Sequence, residues 1–216
     1  MAERVNTVIV GGGQAGLAMS AHLRSQGVEH LVLERHRVAE RWRSARWDSL
    51  VANGPAWHDR FRAQECAGIG GDGFATRDGV IAYFESFADA IGSPVRCGVE
   101  VTSVTRQTGT SAFLVETSHG QLEAQNIVAA TGPFQTPVIP PLVPDTPGIT
   151  QIHSAQYRNP DQLGDGGVLV VGAGSSGSQI ADELLRSGRR VFLSIGPHDR
   201  PPRRYRGKDF VWWLGV

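Results

Sequence analysis

The sequence predicts an α/β protein of two doubly wound strand–helix–strand units, with a small antiparallel β-meander in the first and an incomplete second. Two observations predict it. Gly11-Gly12-Gly13-Gln14-Ala15-Gly16 follows the apolar run Val8-Ile9-Val10, and Gly172-Ala173-Gly174-Ser175-Ser176-Gly177 follows Val168-Leu169-Val170-Val171. Each reads G-x-G-x-x-G at a strand-to-helix junction, the context in which that pattern has physical meaning. The first Gly makes the tight turn, the second admits a pyrophosphate to the backbone, and the third lets helix pack on strand. The helix N-terminus then offers free N–H groups and a positive dipole end to phosphate. Both units are therefore Rossmann-like and dinucleotide-binding. Two such sites in one chain imply two redox cofactors that exchange electrons.

The elements follow in order. Residues 5–10 read as a buried parallel strand, and residues 14–25 as an amphipathic helix closed by Gly27. Residues 31–33 form the second strand, ending on Glu34, which lies 18 residues beyond Gly16. A carboxylate at that spacing accepts hydrogen bonds from a ribose diol. A short helix and loop carry Arg41-Trp42-Arg43 and Arg46-Trp47, and a turn-rich stretch holds Asn53-Gly54-Pro55. Residues 78–91 have helical periodicity, with Ile81, Phe84, Phe87 and Ile91 on one core-facing stripe. Residues 98–107, 111–117 and 120–123 read as the meander, and 126–130 as a separate buried strand ending in Ala130-Thr131-Gly132. The segment 133–147 is proline-rich and reads as an extended connector. The second unit then gives helix 176–186, a stop at Gly188 and strand 191–195. The expected domains are 1–150, a connector 151–166, and 167–216.

The 216 residues carry 40% apolar and 19% charged side chains, enough for a solid core, and the net charge is zero. No global field favours nucleic acid or an anionic membrane. No apolar run reaches the length of a membrane span, and no leader precedes the first strand, so the expected location is cytoplasmic. Cys66 and Cys97 form no paired motif, and the histidines have no metal-ligand spacing, so no metal is expected.

This order of motifs resembles the flavin-containing monooxygenases, within the two-dinucleotide-domain (FAD/NAD(P)-binding) flavoproteins. The residues that carry the resemblance are 11–16, Glu34, Trp42 and Trp47, Asn53-Gly54-Pro55, Ala130-Thr131-Gly132, His153 with Tyr157, and 172–177. The aromatic and glycine that the family places before the histidine are Pro147 and Ile149 here. Tyr at 157 leans away from the Baeyer–Villiger ketone oxidisers.

The resemblance implies FAD on Gly11, Gly13, Gln14, Ala15, Gly16, Glu34, Arg35, Trp42, Arg43, Thr131 and Gly132. It implies NADPH on Gly172, Gly174, Ser175, Ser176 and Gly177. Strand 191–195 ends without an acid and offers Ser194, with Arg200, Arg203 and Arg204 close behind. An acid would repel a 2′-phosphate, whereas Ser with Arg accommodates it, so NADP is preferred over NAD. Asn53 is the residue implied at the catalytic centre, where its amide donates to a flavin hydroperoxide and accepts from the nicotinamide amide.

The implied chemistry is reduction of FAD by NADPH, capture of O₂ as a C4a-hydroperoxide, and oxygen transfer to an amine or sulfide. The cofactor carries the hard chemistry and the protein supplies position and dryness. The alternatives are a pyridine-nucleotide-dependent flavoprotein reductase and an inactive cofactor-binding fragment. The apolar stretch 210–216 reads as an element cut in mid-course. The expected parent is an enzyme of about 350–450 residues, and the chain alone is expected to be a poor oxygenase.

Overall fold

The computed structural model describes residues 3–61, 69–141, 144, 146–197, 199 and 201–215. These fall into two compact units that are interleaved in sequence: Met1–Ala45 with Asp78–Pro144, and Arg46–Arg77 with Asp145–Val216.

The first unit is built on β1 (Glu3–Val10), α1 (Gln14–Ser25), β2 (His30–Glu34), α2 (Glu40–Ser44) and α3 (Arg77–Ala90). It continues with β3 (Val95–Cys97), β4 (Val101–Arg106), β5 (Phe113–Thr117) and β6 (Gly120–Ala129). The strands make one six-stranded sheet in the order β3-β2-β1-β6-β5-β4. Strands β3, β2, β1 and β6 are parallel, and β6, β5 and β4 are antiparallel. Val8, Ile9 and Val32 are fully buried, as apolar runs in a parallel sheet require.

Two details depart from the sequence expectation. Residues 120–123 and 126–130 are not separate strands, because β6 runs unbroken from Gly120 to Ala129. Its first half pairs with β5 and nearly all of its length pairs with β1, so Ala124 faces Phe113 on one side and Val5 on the other. Gln125, between the two expected stretches, and Asn126, expected in the buried strand, are exposed, and only Ile127 and Val128 of the second half are partly buried. The meander is thus an edge extension of the parallel sheet. The second departure is β3, whose three residues pair with β2 from Val32↔Val95 to Glu34↔Cys97.

In the second unit β7 (Val168–Val171) and β8 (Val191–Ser194) are parallel, with α4 (Ser175–Arg186) as the crossover. Ile180 and Leu184 bury the inner face of α4. Leu169, Val171 and Phe192 are more than half exposed. A hairpin, β9 (Arg204–Tyr205) with β10 (Lys208–Asp209), leads into α5 (Phe210–Leu214). Arg206 and Gly207 both have positive φ, 49° and 74°, the mirror-image turn that a two-residue hairpin needs. Asp209 caps α5 by accepting from the Val211 N–H at 3.1 Å.

Candidate functional site

The two glycine loops are near copies in geometry. Gly11 and Gly172 make the turn at φ of 113° and 99°, conformations that L side chains rarely adopt. A Cβ on Gly16 would lie 1.9 Å from the Gly11 carbonyl oxygen, and one on Gly177 would lie 1.9 Å from that of Gly172. These glycines are demanded by the protein's own backbone. Gly13 and Gly174 are different, since a Cβ on either would meet nothing within 4 Å. That open space is where the motif brings a pyrophosphate to the chain.

The helix ends match. Gly13 and Gly174 are the N-caps of α1 and α4, neither helix has a side-chain cap, and neither has an acid in its first turn. The first-turn N–H groups and the dipole are left for an anion.

Around the first loop the structure gathers most of the expected residues. Glu34 accepts from the Gly12 N–H at 2.8 Å through Oε2 and from the His36 N–H at 2.9 Å through Oε1. Two backbone donors lock the carboxylate beside the glycines while its other lone pairs stay free. The 130–132 turn lies against the same loop, because a Cβ on Gly11 would fall 2.4 Å from the Ala130 oxygen. Gln135 bridges this rim, donating to the Thr131 carbonyl and accepting from Arg35 at 2.9 Å. Sequence reading missed Gln135, since a lone Gln after Phe134 has no motif to mark it.

Trp42 and Arg43 sit on α2. Trp42 meets Phe84 edge-on at 6.4 Å, and Arg43 pairs with Glu85. The Arg43 Nε is buried with no hydrogen-bond partner, a donor that a ligand oxygen would satisfy.

Around the second loop, Ser194 closes β8, with its carbonyl accepting from the Gly172 N–H at 3.0 Å. Arg204 is exposed on β9. Arg203 departs from the expectation of a phosphate ligand. Its Nε pairs with Asp209 at 2.8 Å, it donates to the Asn53 carbonyl at 2.7 Å, and it lies over the Phe74 ring at 4.6 Å. Arg200 lies outside the described residues.

Asn53 belongs to this second unit. The Gln179 side chain on α4 accepts from the Val51 N–H at 3.1 Å and donates to the Val51 carbonyl at 2.9 Å. The same Gln179 Nε2 donates to Asn53 Oδ1 at 3.3 Å. Gly54 donates to Asp59 at 3.0 Å, and a Cβ at 54 would fall 2.2 Å from that carboxylate, so any side chain there would displace Asp59.

The family description of the pyridine nucleotide-disulphide oxidoreductases matches residues 8–206. The chain belongs to that family. An oxidoreductase of Geobacillus kaustophilus named as CzcO-like is 37% identical over 99% of the chain and 61% of its own length. An indole-3-pyruvate monooxygenase of rice (Oryza sativa subsp. japonica) is 33% identical over 87% of the chain and 47% of its own length. Among solved structures, a flavin-containing monooxygenase from Stenotrophomonas maltophilia matches with a TM-score of 0.77 at 24% identity. That match covers 91% of the chain and 59% of the neighbour. The chain thus spans about three fifths of the relative it matches at greatest identity among these. FAD and NADP, the cofactors that the resemblance implies, suit a member of this family.

Proposed function

We propose that this chain is the two-nucleotide core of an NADPH-dependent flavoprotein monooxygenase, with FAD on the first glycine loop and NADPH on the second. The observation that carries the proposal is the repeated geometry: two turns, each closed by a glycine that only glycine can be, each open above its middle glycine. Glu34 would take the adenosine ribose of FAD, with Arg35, Thr131 and Gly132 at the rim and Trp42 and Arg43 along the dinucleotide. Ser194 and Arg204 would take the 2′-phosphate of NADPH. Arg203 is spent on Asp209 and Asn53, so its part is to hold the Asn53 loop.

Bound FAD would supply the redox chemistry, taking a hydride from NADPH and passing electrons to O₂ for transfer of one oxygen to an amine or sulfide. The chain supplies anion binding at α1 and α4, ribose recognition at Glu34 and an amide hydrogen-bonding group at Asn53. The resemblance to a named monooxygenase at 33% identity supports this over the second reading, a disulphide reductase, which the family's own name favours.

One experiment separates them. The purified chain is loaded with FAD and given NADPH with an amine, a sulfide or a low-molecular-weight disulfide. Oxygen-dependent NADPH oxidation with oxygenated product or peroxide supports the monooxygenase. Oxygen-independent thiol release supports the reductase. A colourless protein that takes up no FAD would sink both.

A further inference from the structure

The Asn53 amide faces a choice that the fold has already made. Gln179 is read by the Val51 backbone at both ends: the N–H can only donate to Oε1, and the carbonyl can only accept from Nε2. This fixes which end of the Gln179 amide is which, without appeal to its shape. Its Nε2 also points at Asn53 from 3.3 Å, and a donor there requires an acceptor, so the group it meets is Oδ1. The Asn53 NH₂ is therefore the end left outward, on an exposed residue, with no partner among the described residues.

The backbone beneath is pinned from several directions. Ala52 donates to the Ala75 carbonyl at 2.7 Å, Val51 is bridged to Thr76, and Arg203 holds the Asn53 carbonyl. With the main chain fixed, Gln179 is what selects the amide's orientation.

We propose that Gln179 is a positioning residue for the nicotinamide end of the second dinucleotide. It holds Asn53 as a hydrogen-bond donor for the carboxamide oxygen, and joins the 51–53 loop to α4, the helix that starts at the second glycine loop. This rests on the reading that the second loop holds NADP. Gln179 thereby takes one of the two lone pairs of Asn53 Oδ1.

The test uses the full chain and four variants, Gln179→Glu, Gln179→Leu, Asn53→Asp and the double Q179E/N53D. NADP⁺ and its adenosine half, 2′,5′-ADP, are the titrants. Gln179→Glu is near-isosteric, but its carboxylate turns the Asn53 NH₂ inward. NADP⁺ should bind about tenfold more weakly to each variant, the worth of one hydrogen bond, while 2′,5′-ADP changes by less than about twofold. The double variant should lose no more than either single one, since both remove the same donor. Equal losses for both titrants would mean that Gln179 merely holds α4, and would overturn the proposal. So would unchanged NADP⁺ affinity.

A ligand-free measurement stands beside it. In protein labelled with ¹⁵N-asparagine, the Asn53 side-chain signal, assigned through Asn53→Ser, should shift in Gln179→Glu. An unmoved signal overturns the orienting role whatever binds. A parent that binds neither titrant overturns the reading of the second loop, and the labelled-amide result then decides the role of Gln179 alone.

Discussion

Tyr157 donates a hydrogen bond from its hydroxyl to Glu183 Oε2 across 2.6 Å, and the residue is only 2% exposed. This bond ties the residues after His153 to the outer half of α4, the helix that begins at the second glycine loop. Burial, and then the carboxylate beside it, push the Tyr157 hydroxyl well above its ordinary ionisation range.

Tyr157→Phe keeps the ring and deletes the hydroxyl, leaving Glu183 without its partner. Denaturant unfolding should show a loss of about 1.5–3 kcal/mol, the range for a hydrogen bond to a charged group. The pH dependence has a definite sign. The folded-state value is raised, so the contribution is whole below the unfolded tyrosine value of about 10 and falls away as pH rises above it. The parent should lose stability from pH ~10 upward more steeply than the phenylalanine variant. Parallel curves would show that Tyr157 is not the group responsible.

The two kinds of glycine in the first loop should fail differently. Gly16→Ala would set a Cβ against the Gly11 carbonyl and should lower the melting temperature with or without flavin. Gly13→Ala meets no protein atom, so the folded chain should tolerate it while FAD affinity drops. Glu34→Gln should weaken FAD binding by about 1–3 kcal/mol through the ribose contact. Absorbance of bound flavin beside a thermal melt reads all three. A Gly13→Ala protein as yellow as the parent would refute the placement.

Arg203 and Arg204 should now separate. Arg204→Ala is expected to reduce the preference for NADPH over NADH, by about 1–3 kcal/mol. Arg203→Ala should instead loosen the Asn53 loop, losing stability while leaving the ratio of the two coenzymes unchanged. Ratios measured by flavin reduction decide it, and the opposite pattern would restore Arg203 to the phosphate.

Asp48 makes a further prediction at acid pH. It holds the Asn159 amide at 2.7 Å and Arg77 at 2.5 Å, and these two keep its carboxyl below the usual aspartate range. A lowered value means stability that is present above the unfolded aspartate value of about 4 and lost as pH falls below it. Asp48→Asn should therefore flatten the acid limb of the stability curve measured by urea unfolding. An unaltered acid limb would show that the ion pair is screened.

The glycine loops were legible because backbone geometry allows no substitute at Gly11, Gly16, Gly172 or Gly177. Helices α1 and α4 were legible because each begins at such a loop. Strand β3 was not: three residues after Pro94, with Arg96 exposed, pair only because β2 lies alongside. The unity of β6 was hidden at Gln125, where pairing with β5 has ended and only β1 alongside carries the strand on. The Gln179 clasp on Val51 spans 128 residues and has no local signature at all. Asn53 stood out through its Asn-Gly-Pro turn, but which end of its amide faces outward depends on that distant glutamine.

The interleaving of the units bears on how the chain is made. Strand β1 pairs with β6 from Glu3↔Leu122 to Val10↔Ala129, so the first unit cannot close its sheet until Ala129 has left the ribosome. The segment 46–77 emerges earlier still, yet its partners Arg158, Gln179 and Arg203 are synthesised far later. Neither unit can finish by vectorial folding from the N-terminus, and both must await contacts of long sequence separation, which close slowly. The nascent chain must therefore carry an apolar β1 until β6 emerges and an unclasped Asn53 loop until Gln179 and Arg203 emerge, a period in which chaperone capture would govern its yield.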